Sequence, residues 1–147
     1  MRSKRFFFAW LAVYAFCSIT GYLEHDIILH NAYMRLMPTI HSSDVKSKIW
    51  AFIISAIVST FFYTLIYTSW KKKGTMAEGL KYGVFIGLWM WIVMTMRTYA
   101  STDLIPFSLI TQWLIYGFIQ YALCGMLLAL VYNYKKRSVQ TLSPIDA

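Results

Sequence analysis

Four stretches without a single charged side chain govern what this chain can become. Arg5 and Glu24 bracket residues 6–23, Lys48 and Lys71 bracket 49–70, Lys81 and Arg97 bracket 82–96, and no charge falls within 104–134. A helix crossing the hydrocarbon core of a bilayer needs about 20 apolar residues, so the first two runs each suit one span. The third, at about 1.5 Å per residue, reaches roughly 22 Å and spans if Lys81 and Arg97 extend their charged heads toward the interfaces. The fourth is longer than a span requires, and Pro106 places its start near Phe107. The expected fold is therefore all-α: one integral membrane domain over 1–147, an antiparallel four-helix bundle with spans at about 6–23, 49–70, 80–98 and 107–132.

Composition excludes the alternatives. Hydrophobic residues make up 59% and charged residues 14%, whereas soluble domains carry roughly 45–50% and about 25%. The aromatic share of 18% excludes disorder, whose segments are poor in aromatics. Basic residues orient the spans. Arg2, Lys4, Arg5, Lys71, Lys72, Lys73, Lys81, Lys135, Lys136 and Arg137 fall on one side, against Arg35, Lys46, Lys48 and Arg97 on the other. The positive-inside rule then puts both termini and the 71–81 connection in the cytoplasm, with 24–48 and 97–106 facing outward. The net charge of +8 is mostly this bias, so nucleic acid is not an expected partner and the lysine clusters meet anionic lipid headgroups. The first span is too long for a signal peptide, and no small-residue cleavage site follows it.

Small residues mark faces for close helix approach. Ala12, Ala15, Ser18 and Gly21 recur every three residues in the first span, and Ala51, Ser55 and Ser59 every four in the second. Gly83 and Gly87 form a GxxxG in the third, while Gly117, Gly125 and Ala129 mark the fourth. Such faces serve a seam within the chain or one with a second protein. Cys17 and Cys124, counted inward from the flanking charges, sit at similar depth, so contact between them is possible; free buried thiols of low reactivity are the expectation.

Polar chemistry concentrates on the outer side. His25, His30 and His41 lie there with Glu24, Asp26, Asp44 and Asp103. Glu24, His25, Asp26 and His30 are the candidate metal ligands, for zinc or copper(II), with Met34 or Met37 adding soft donors for copper(I). If the first helix continues through them, Asp26 and His30 share a face, with Glu24 and His25 turned elsewhere. A mixed-charge helix end pairing with Arg97 or Arg35 accounts for the same residues. Trp89 and Trp91 fall mid-span, where an indole N–H needs a partner; they pack inside the bundle or wall a bound lipid, quinone or pigment. No ionisable group lies within a span, and no nucleophile–base pair or phosphate-binding loop appears, so neither catalysis nor a resident cofactor is expected.

Three segments carry a likeness. His25 followed by Ile27-Ile28-Leu29 and Tyr33, the stretch Glu78-Gly79-Leu80-Lys81-Tyr82-Gly83-Val84-Phe85-Ile86-Gly87, and Trp113 with Gly117, Gln120-Tyr121 and Gly125 resemble an uncharacterised family of short bacterial four-span inner-membrane proteins. Asp26 stands where the family has a small residue and Gln120 where an acid is common. The resemblance implies a four-span fold in the bacterial inner membrane and brings no activity. The expected function is a non-catalytic accessory subunit that packs with other integral membrane proteins or with itself. The alternative is a small carrier or binding protein that holds a metal ion or an apolar ligand near its outer face.

Overall fold

The computed structural model describes residues 2–40, 46–101 and 105–140, and the side-chain surroundings of 4–35, 47–101 and 105–132. His41, Asp44 and Asp103 lie outside the described residues, as do the side chains of Arg2, Met37, Lys46 and Lys135 to Arg137. The described elements are helical: α1 (Arg2–Tyr22), a π-helical turn (Leu23–Ile28), α2 (His30–Ile40), a 3-10 turn (Lys46–Lys48), α3 (Ile49–Trp70), α4 (Met76–Ser101) and α5 (Phe107–Gln140). Among the described residues, four helical stretches are long and apolar enough to cross a membrane: Lys4–Ile28, Ile49–Trp70, Met76–Ser101 and Phe107–Tyr132. The described chain is thus all-helical with four candidate spans, the pattern of a multi-pass membrane protein. Its exposed surface is apolar in keeping, with Phe52, Phe62, Phe85, Ile115 and Leu130 turned outward.

The tightest packing joins α4 to α5, where glycines let the two backbones touch. A methyl group on Gly79 would lie 2.8 Å from Ala129 Cβ, one on Gly83 2.8 Å from Ala122 Cα, and one on Gly87 2.9 Å from Tyr121 Cβ. On the other side, Gly125 fits against the Gly79 carbonyl and the Gly83 amide, and Gly117 lies under the Trp91 indole. Rising numbers on α4 therefore meet falling numbers on α5, and every contact in the series depends on a missing side chain.

A tyrosine cluster extends this seam to α3. Tyr63 and Tyr82 ring centroids are 4.9 Å apart, Tyr63 and Tyr121 5.1 Å, and Tyr67 and Tyr82 5.1 Å. Such pairs add about 0.5–1.5 kcal/mol beyond their buried area. The hydroxyls are used as well: Tyr63 donates to the Tyr121 carbonyl at 2.7 Å, and Tyr82 donates to the Tyr63 carbonyl. Buried Ala9 and Val13 of α1 complete this core, and the Trp10 indole donates to Thr60 Oγ1 at 3.2 Å.

Helix α4 begins at a defined cap. Thr75 Oγ1 accepts the Glu78 amide proton at 3.2 Å, and the Glu78 carboxylate reaches back to the amides of Lys72, Lys73 (3.0 Å) and Gly74 (2.5 Å). Gly74 has φ +72°, which a side chain would oppose. The Thr-x-x-Glu spacing that marks such a cap is plain in the sequence. Next to it, Lys71 Nζ sits 3.4 Å from the centre of the Tyr132 ring, a cation–π contact.

Candidate functional site

The first span does not end at Glu24. Its backbone widens into the π-turn, and the Leu29 amide donates to the Glu24 carbonyl five residues earlier at 2.8 Å. A π-turn changes the angle between successive side chains, and such turns occur often at functional sites. Glu24, in helical register with Val13, Cys17 and Gly21, faces inward and is only 5% exposed, while Asp26 and His30 are exposed.

Glu24 and His25 border a cavity of about 170 Å³ between the helices. Val13, Cys17 and Gly21 line it from α1, Thr60 and Tyr63 from α3, and Trp91 from α4. Gln120, Tyr121 and Cys124 close it from α5. Two residues that line it each carry a buried polar atom with no hydrogen-bond partner: Glu24 Oε1 and Trp91 Nε1. Buried polar atoms are paired in the great majority of cases, and one left unpaired costs about 1–3 kcal/mol. These two differ in role, because an indole N–H can only donate while a carboxylate oxygen accepts.

Several other polar groups of the wall are paired. Gln120 Nε2 donates to Thr20 Oγ1 at 2.5 Å and to the Cys17 carbonyl at 3.3 Å. Cys17 Sγ and Cys124 Sγ are 3.3 Å apart, both as free thiols. Beside His25, the Trp113 indole donates to the Tyr33 hydroxyl at 2.6 Å, and that hydroxyl lies 2.7 Å from His25 Nδ1. The Tyr33 oxygen accepts from the indole, and whether Tyr33 or His25 donates in the second contact follows the histidine tautomer. Burial pushes the Tyr33 phenol up to about 12, against the Trp113 hydrogen bond, which lowers it. Tyr33 therefore stays neutral at any physiological pH.

The candidate metal residues are not gathered into one group. Among the described residues, no set of three or more His, Cys, Asp or Glu side chains is placed to hold a metal ion. Glu24 and His25 border the cavity, Asp26 and His30 lie on the exposed side, and Met34 is exposed. Trp89 and Trp91 are separated too: Trp91 is a cavity wall, whereas Trp89 is 59% exposed. Two positions apart on a helix means nearly opposite faces, so only one of the pair can point inward. The sequence reading did not bring Gln120, Tyr121, Tyr63 or Gly21 to this site. Glu24, His25 and Trp91, named as ligand candidates from the sequence, do border it, as do Cys17 and Cys124, whose matching depth suggested contact.

The chain was compared with family models, curated proteins and solved structures, and none matches. The likeness to short bacterial four-span proteins is accordingly one of motifs alone.

Proposed function

We propose that this protein binds a small amphipathic molecule in the cavity between its four long helices. The reading sets those helices as an antiparallel bundle in the bacterial inner membrane, with both termini cytoplasmic; the excess of basic residues at the two termini and in 71–81 supports that orientation. One observation carries the function: two residues lining a single cavity, Glu24 and Trp91, hold buried polar atoms of opposite role, Oε1 and Nε1, that are unpaired. A ligand with a donor and an acceptor on an apolar frame satisfies both, and its frame rests on Val13, Tyr63 and Tyr121. Membrane entry suits such a ligand, since the protein's outer surface is apolar. The metal form of the reading has no converging donor set among the described residues to support it.

Native mass spectrometry of the protein released from gentle detergent tests the proposal. The wild type is expected to carry a small-molecule adduct. Gly21→Leu is expected to lose it, because a side chain at Gly21 enters the cavity and its Cβ meets nothing within 4 Å. A bare wild type, or equal retention by both proteins, contradicts the reading.

An accessory role is the second reading, and the amino-terminal half of α3 favours it. Ala51 and Ser55 are exposed, so a small-residue face at spacing four is not consumed within the chain. That reading expects a stoichiometric protein partner that Ala51→Trp releases on purification.

A further inference from the structure

We propose that the ligand class is a lipid-soluble quinone, and that Cys17 and Cys124 reduce it by closing a disulfide between α1 and α5. The inference rests on the cavity reading above. The two sulfurs are 3.3 Å apart on the cavity wall, in helices more than 100 positions distant in sequence. A disulfide bond is about 2.0 Å long, so closure asks for a movement of about 1 Å.

The rest of the wall complements a quinone in both oxidation states. A quinone is a flat ring with an acceptor oxygen at each end. The unpaired Trp91 N–H can donate to one of them, and the rings of Tyr63 and Tyr121 offer the ring its apolar contacts. After reduction the oxygens become hydroxyls, which now donate, and Glu24, which lines the same cavity, carries an unpaired acceptor in Oε1. The stoichiometry closes. Two S–H bonds break and one S–S bond forms, and the two electrons and two protons released end on the two quinone oxygens, giving one quinol. A thiol pair and a quinone are matched as two-electron, two-proton partners, with no further oxidant required.

The test uses the full chain in lipid nanodiscs, fully reduced, freed of reductant and kept without oxygen. The probe is decyl-ubiquinone, whose fully substituted ring resists addition of thiols. Denaturation and alkylation with a maleimide-polyethylene glycol then count free thiols by gel shift, and ultraviolet absorbance counts quinol. The expected result is loss of both thiols with one quinol formed per chain. Cys17→Ser and Cys124→Ser should each keep the remaining thiol and form no quinol. Gly21→Leu should block oxidation by the quinone while diamide still closes its disulfide, which shows that its helices remain in place. A wild type that diamide closes and decyl-ubiquinone does not would overturn the inference. So would equal quinone oxidation in Gly21→Leu, or failure of both reagents to close the pair. If decyl-ubiquinone is retained as an adduct with both thiols still free, the redox step fails while the cavity reading stands. No retained adduct together with both thiols still free defeats both.

Discussion

The α4/α5 seam and the α1 side of the molecule both use glycine, to opposite effect. At Gly79, Gly83 and Gly125 there is no room for even a methyl group, and the partner is backbone. At Gly21 a Cβ would meet nothing within 4 Å. One absence of a side chain makes a contact and the other leaves a space. In lipid, where apolar burial gives little drive between helices, close packing at the first site supplies the attachment. The second site is left free to hold something else.

The largest effect should come from closing the tight side. Gly125→Leu would drive a branched side chain into the backbone of Gly79 and Gly83, and separation of α4 from α5 is expected, read as loss of the folded species in gel filtration. Gly83→Ala, with one added methyl, should cost about 1–3 kcal/mol, measured by unfolding in sodium dodecyl sulfate. Tyr63→Phe is next: it removes the hydrogen bond to the Tyr121 carbonyl at 2.7 Å and should cost about 1 kcal/mol in the same assay. Thr75→Ala removes a helix cap and should cost about 0.5–1 kcal/mol. The smallest effect on folding is expected for Gly21→Leu, which should unfold at the same detergent fraction as wild type while losing ligand. A Gly21→Leu protein as unstable as Gly83→Ala would erase the distinction between the two regions.

The sequence shows these two regions unequally, for physical reasons. Uncharged runs and small-residue spacing are one-dimensional patterns. They carry the number of long apolar helices and the glycines of α4 and α5, though not which helix each glycine meets. Charges are poorer guides to helix ends. Lys81 and Arg97 bracket a short run, yet α4 extends over Met76–Ser101 because both charged side chains stay exposed on the helix. The inward face of Glu24 follows helical spacing, since Val13, Cys17, Gly21 and Glu24 recur every three or four residues and all border the cavity. The π-turn at Leu23–Ile28, with its i−5 hydrogen bond at the Leu29 amide, is announced by no residue pattern. Cys17 and Cys124 were accessible because counting from the flanking charges measures depth, and depth is shared across helices even where facing is unknown.

The most direct measurement is an experimental structure of the wild-type protein in a lipid nanodisc, purified without added ligand. A non-protein feature is expected between the Glu24 carboxyl and the Trp91 indole, bordered by Cys17 and Cys124. A Glu24 side chain turned to the surface, with the space between α1 and α5 filled by the protein's own side chains, would contradict that expectation.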